Sequence, residues 1–248
     1  MNTSQSVPVA FAWLLATGAF ADESKFQFIG RASDGGSVVY EEHHFVSGTC
    51  RDGIWRPTTH SVEYIRPEDN RQVFATKELD YQHSPLRPEM DFQQPEFNES
   101  ITVKQANDDT LAIQWRTPSG NMEKFNVSFN DAVVVDAGFD NLVRRHWDAV
   151  ISGDAVDFRF LGPTRGDHYG FIMEPVVTDR TNAAHTIRIR PSGMIARFLV
   201  DPIILGYNQS GALTDYIGLS NIRASVDGNY TVHIRYEITR QPDCELTP

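Results

Sequence analysis

Four consecutive residues, Glu41-Glu42-His43-His44, are the stretch of this chain best suited to chemistry. Imidazole beside carboxylate is what a metal site or a general acid–base pair requires. The surrounding run Val38–Val46 alternates as a strand does, so neighbouring side chains point to opposite faces. His43 can then meet only Glu41, and His44 only Glu42. Each face offers two ligands where a structural zinc site uses four. The expectation is therefore no metal, and a polar strand face with one or two buried, satisfied histidines. Brought into one cleft with Asp80, the pair Glu42 and His44 would instead supply a dispersed hydrolase site.

No other motif carries a reaction. His60, His83, His146, His168, His185 and His233 show neither HExxH nor paired-ligand spacing. There is no GxSxG elbow, no glycine-rich phosphate loop and no CxxC. No catalytic residue is assigned and no cofactor is implied. Arg165-Gly166-Asp167 reads as a hairpin tip beside Gly162-Pro163. The triplets at Asn98, Asn126, Asn208 and Asn229 matter only in a glycosylating pathway.

Aromatic residues are the more suggestive feature. A sheet curled around a helix can leave an apolar cavity, because strand number limits how well side chains fill it. Trp115, Trp147, Phe158, Phe160 and Phe171 are the candidate lining residues for an apolar or amphiphilic ligand, against the alternative that they are plain core. The two cysteines, Cys50 and Cys244, either form one disulfide closing a very long loop or stand as separate thiols; pairing is the expectation carried forward. Loop closure of that length is worth roughly 4 to 5 kcal/mol at most.

The elements that must position these groups read mostly as strands of period two. The clearest is Tyr230–Ile238, with Tyr230, Val232, Ile234, Tyr236 and Ile238 on one face. Similar runs are Thr59–Ile65, Gln72–Leu79, Ile101–Gln105, Thr110–Arg116, Glu123–Phe129, Val156–Leu161, Tyr169–Val177, His185–Arg190, Ile195–Val200 and Ile203–Tyr207. Short connectors such as Asp34-Gly35-Gly36, Pro118-Ser119-Gly120-Asn121 and Asp227-Gly228-Asn229 are turn chemistry. They leave no room for parallel crossovers, so the strands form an antiparallel meander. Gln82–Phe97 has three prolines and no clean period, and reads as a long loop or edge segment, a candidate lid or rim. One helix is expected over Phe139–Ser152, from Phe139, Leu142, Val143, His146, Trp147, Val150 and Ile151 at helical spacing. Asp136 or Asp140 is placed to cap it, and Gly153 to end it. A lone amphipathic helix among so many strands must cover the sheet or plug a barrel.

The N-terminus supplies an address. Val7–Ala19 is an apolar run of secretory length ending in Ala19-Phe20-Ala21, a small-x-small cleavage site. Residues 1–21 are read as a signal peptide, with residues 22–248 as one antiparallel β domain. The mature protein then stands in the periplasm or another extracytoplasmic space. No later run is long and apolar enough for a membrane helix. The formal charge of -11 opposes phosphate backbones and anionic lipid, so nucleic acid is not an expected partner. Hydrophobic residues at 40% exclude a disordered chain.

Four short segments carry a resemblance: Val39-Tyr40-Glu41-Glu42-His43, Phe74-Ala75-Thr76-Lys77-Glu78-Leu79-Asp80-Tyr81, Asp136-Ala137-Gly138-Phe139-Asp140 and Tyr216-Ile217-Gly218-Leu219-Ser220-Asn221. In these the chain resembles an uncharacterised family of exported proteobacterial β-proteins, which implies an exported meander. In architecture alone it is similar to the curled sheets of outer-membrane lipoprotein carriers and receptors, an analogy that transfers no binding residue. The reading is mainly β: a single meander forming an open or closed barrel, with one helix on its concave face. The expected role is non-enzymatic, the binding of an apolar or amphiphilic ligand within the curl. The alternatives are a dispersed hydrolase and an envelope scaffold that engages another envelope protein.

Overall fold

The computed structural model describes residues 23–68, 72–193 and 201–248. The leader read at 1–21 and the strand expected at Ile195–Val200 lie outside these residues. Eight strands run outward in chain order: β1 (Glu23–Asp34), β2 (Ser37–Arg51), β3 (Ile54–Arg66), β4 (Gln72–Asp80), β5 (Glu89–Gln94), β6 (Glu99–Asn107), β7 (Thr110–Arg116) and β8 (Met122–Ser128). A crossing follows through β9 (Val133–Val134), α1 (Gly138–Arg145) and α2 (Trp147–Ser152). Six strands then return: β10 (Val156–Gly162), β11 (Asp167–Pro175), β12 (His185–Pro191), β13 (Ile203–Tyr207), β14 (Leu213–Ser225) and β15 (Gly228–Arg240).

All fifteen described strands belong to one sheet, in the order β8 to β1, then β15 back to β9. β1 and β15 pair antiparallel at its centre, and only β9 and β10 are parallel. The meander is thus two outward fans joined along their first and last strands. Its ladder does not close into a barrel among the described residues. The two ends are nevertheless tied by side chains. Nε2 of His168 lies 3.1 Å from the Ser128 carbonyl, and Arg159 donates from Nε to His168 Nδ1 at 2.5 Å. His168 therefore accepts on Nδ1 and donates from Nε2. Beside it, Gly166 sits against Phe125: a Cβ there would fall 2.3 Å from the ring, and φ is +60°.

Alternation builds the interior. Tyr40, Val62, Tyr64, Ala75, Phe92, Val103, Ile113 and Ile234 interlock in the larger apolar cluster. α1 and α2 fill the other half with Leu142, Val143, Trp147 and Val150, against Phe158, Met173, Ile187, Leu205 and Tyr207. Burying such side chains contributes roughly 1.5 to 3 kcal/mol each. A third cluster of Phe26, Val46, Trp55, Ala212 and Leu246 surrounds Cys244. Cys50 and Cys244 are joined by a disulfide, Cα to Cα 5.9 Å. Main-chain bonds between Glu245 and both Gly53 and Trp55 hold the same tail.

Three expectations need correction. The single helix is two, broken at His146, where ψ is 24° and the N–H divides between the Leu142 and Val143 carbonyls. Neither Asp136 nor Asp140 caps it. Ala137 is the N-cap residue, Asp136 stands at φ 43° bound to Lys77, and Asp140 lies inside the first turn. Gly153 does end α2 in the left-handed conformation. The segment Gln82–Phe97 is not one long loop: Glu89–Gln94 is β5, bonded to β4 and β6. Its remaining strap is built into the core through buried Leu86, whose carbonyl accepts from Val135 and lies against Gly138.

Candidate functional site

Inside the curl, β2, β3 and β15 place four polar side chains in a row. The Tyr236 hydroxyl donates to Glu42 at 3.0 Å, His44 Nε2 lies 3.0 Å from the same carboxylate oxygen, and His44 Nδ1 lies 2.9 Å from His60 Nε2. Phe28 from β1 stacks on His44 with centroids 4.2 Å apart. Ionised Glu42 only accepts, so His44 donates to it from Nε2. The contact between the imidazoles holds one proton, and in either arrangement His60 needs just one. Burial, then the neighbouring His44, Lys77 and Arg144, push His60 well below the usual imidazole range. Burial and Glu42 hold the Tyr236 phenol well above its ordinary value.

Two ion pairs surround this row. Lys77 bonds both oxygens of Asp136 at 3.0 Å. Asp140 on α1 pairs with Arg144 at 2.7 Å and accepts from Tyr207 at 3.1 Å, while Arg144 Nε donates to the Gly211 carbonyl. Burial raises the Asp140 carboxyl, opposed by Arg144 and Tyr207. A buried charge without partners is costly, and each of these has them. Between α1 and β1–β3 lies a cavity of about 30 Å³ touched by His60, Asp140 and Arg144. That is room for a water or two. Acid and imidazoles are thus assembled and buried, with Glu42, His44 and His60 all under 9% exposed, while the phenol of Tyr236 is half-buried.

The residues singled out from sequence fall in three places. Glu41 and His43 face outward together, Nε2 to Oε2 3.2 Å, with Arg31 beside Glu41; Glu42 and His44 face inward together. Asp80 does not join them. It ends β4 and accepts from the Gln82 amide. Among the described residues no group of three His, Cys, Asp or Glu side chains could hold a metal ion. Trp147, Phe158, Phe160 and Phe171 meet in the helix-side cluster, with Trp147 edge-on to His185 and Tyr207. Trp115 lies apart, in the other cluster, donating from its indole to Glu99 at 2.8 Å. Nothing in the sequence spacing of His60, Tyr236, Lys77 and Arg144 marks them as neighbours in one network.

A larger opening lies at the margin of the helix-side cluster. Beside the last turn of α2 is a cleft of about 320 Å³, bounded by Val150 and Ile151 on one wall. Its other wall is the end of β11 and the start of β12, from Pro175 to Val177 and from Ala184 to Ile187. Seven of its nine lining residues are apolar; His185 and Thr186 are the polar ones. None of the five aromatic candidates lines it or the smaller cavity. Among the described residues no helix is long and apolar enough to cross a membrane. Comparison of the chain with protein-family models, with curated proteins and with solved structures gave no match.

Proposed function

We propose that this is an exported, non-catalytic binding protein, whose curled sheet is a rigid frame and whose ligand places an apolar part in the cleft beside α2. The observation that carries the reading is the contrast between the two spaces. The cavity beside His60 holds about 30 Å³, whereas the cleft beside α2 holds about 320 Å³. Small-ligand sites begin near 300 Å³ and are mostly apolar with a few polar groups. The reading moves the ligand from within the curl, where Tyr40, Tyr64 and Phe92 fill the space, to its outer margin. Export is supported by the leader-like N-terminus, by the resemblance to exported β-proteins and by a disulfide, which persists in oxidising compartments. Hydrolysis has less support, because Glu42, His44 and His60 are buried and the cavity that touches His60 holds a water or two.

Native mass spectrometry of protein purified from its source envelope, with titration by a neutral environment-sensitive fluorophore, tests the reading. A bound species of discrete mass, displaced by the fluorophore, is expected. Ligand-free protein that takes up no probe would remove it.

A further inference from the structure

The two ends of the sheet are finished differently. At the β9 end the Val135 amide donates to the Leu86 carbonyl and Arg87 donates to the Val133 carbonyl, so a strap of chain holds that edge. At the other end β8 is the last strand. Its ladder with β7 is regular, without bulge or proline. Bonded pairs close the ladder at both ends, Thr117 with Asn121 and Phe129 with Asp109. Opposed residues in an antiparallel ladder bond alternately, so Glu123, Phe125 and Val127 are used by β7. The amides and carbonyls of Met122, Lys124 and Asn126 therefore point away from it. Among the described residues they meet no partner, and all three residues are exposed. The Ser128 carbonyl comes next in the row, and His168 occupies it. An open row of this kind is a template for another strand. We infer that the β8 edge receives an extended segment of a partner protein, acidic where it passes Lys124. None of these residues lines the cleft beside α2, so this inference and the binding reading fail separately.

Charge selects the partner. Val103, Ile113 and Val127 are buried on the inner face, so alternation sets their neighbours outward. The register places Gln114 and then Thr102 beside Lys124, and Arg116 beside Met122. Across β6, β7 and β8 the outward positions carry Lys104, Arg116 and Lys124 and no carboxylate. Glu123 falls on the other face, opposite Trp115. The first carboxylates further in, Glu89 and Asp91 of β5, accept from the Gln105 amide and from Gln93. Toward Ser128 the sign reverses, with Asp109 bonded to Phe129 and Asp167 next to His168. A second copy is a poor occupant: β8 has no outward acid to set against Lys124 in any register, and each copy carries a formal charge of -11. An aspartate or glutamate on the added strand would meet Lys124 on the outward face, an attraction that weakens with salt.

Hydrogen exchange followed amide by amide, with fluorescence titration of capped peptides that alternate valine with aspartate, asparagine or lysine, tests this. In the free protein the Met122, Lys124 and Asn126 amides should exchange fast, and those of Phe125 and Val127 slowly. The aspartate peptide should slow the fast set. It should bind about threefold tighter than the asparagine peptide at low salt, with the lysine peptide weakest and the differences closing at high salt. Lys124→Glu should reverse the order of aspartate and lysine. Asn126→Pro removes an amide that β7 does not use, so melting should change little while peptide binding is lost. A fully N-methylated aspartate peptide should not bind the wild-type protein, which keeps the test independent of the proline variant. Failure of every peptide to bind, or binding that leaves the three amides exchanging fast, would overturn the inference. Preference for the lysine peptide would overturn the acidic partner. Protection of the same amides that grows with protein concentration alone would give the edge to a second copy instead.

Discussion

Acid should weaken this fold through His60, and the size of the effect follows from its surroundings. His60 is buried, its Nε2 faces His44 Nδ1, and Lys77 from β4 and Arg144 from α1 bring positive charge toward it. Asp140 on α1 borders the same small cavity but is already paired with Arg144. A second proton on His60 is therefore disfavoured, and its folded-state value lies well below 6.5. The unfolded chain binds that proton more readily, so stability is unaffected well above pH 6.5 and falls as pH drops below it. The slope approaches about 1.4 kcal/mol per pH unit, giving a loss near 1.4 kcal/mol by pH 5.5. Burial raises Asp140, which works in the opposite sense above the ordinary carboxylate range, so the wild-type slope alone does not isolate His60. The difference between wild type and His60→Gln does, because glutamine keeps a hydrogen-bonding side chain and cannot titrate. Urea unfolding at closely spaced pH values between 7.5 and 5 should show the variant's stability curve flatter by about that slope. Parallel curves for the two proteins would refute the assignment of a proton-excluding role to this imidazole.

Three further outcomes follow from packing. Trp147→Ala, in the centre of the helix-side cluster, should lower stability by about 3 to 5 kcal/mol, and Trp147→Asp should prevent folding; a normal melting curve for the aspartate variant would remove α2 from the core. Cys244→Ser opens a loop spanning 194 residues, worth about 5 kcal/mol by chain entropy. The loss measured by calorimetry should be smaller, because the Glu245 main-chain bonds and buried Leu246 still hold the tail; an unchanged melting temperature would show that the covalent link adds nothing to them. Glu174, held down to about 2 by Arg190 and Arg188, should keep its stabilising pairs above pH 4.5 and lose them as pH falls toward 2; carbon-13 titration of its carboxyl at ordinary carboxylate pH would contradict this.

What the sequence makes legible depends on whether a strand keeps its period. β15 reads cleanly because Val232, Ile234 and Tyr236 all face inward. β1 does not, because its inward positions include Gly30 and Ala32. Gly30 must be small: a Cβ there would lie 2.5 Å from the Tyr236 ring. β14 hides behind two buried polar residues, Asp215, which bonds His233 on the outer face, and Ser220, and behind a ladder shift between Leu219 and Arg223. β5 is flanked by prolines that suggest a loop. The pairing of His43 with Glu41 and of His44 with Glu42 follows from alternation alone. His60 does not. The two-residue turn at Asp52-Gly53 sets Arg51 opposite Ile54, and an unbroken ladder would turn His60 outward. The register shifts where Ser47 faces Thr59 but Gly48 faces Pro57, leaving Thr58 as the extra residue. Proline within a sheet is found at bulges and edges, and here it marks the slip that turns His60 toward His44.

That one-residue bulge also shapes the packing of the interior. By turning an imidazole inward it completes a row that would otherwise end at His44, and the row occupies space that a ligand-holding curl would leave open. Ordered polar networks are worth keeping in a core when every member is satisfied, because they specify one packing. Here the phenol, carboxylate and two imidazoles lock β15, β2 and β3 together, while Asp140, Arg144 and Tyr207 lock α1 to β13 and to the loop before β14. A frame fixed in this way at its centre gives up internal volume, and the larger cleft opens where the packing stops. It stops at the last turn of α2, where Val150 is buried and Ile151, the next residue, is not. Widening the interior by mutation should therefore cost stability without creating uptake, whereas altering Ile151 or Val177 should change uptake at little cost in stability.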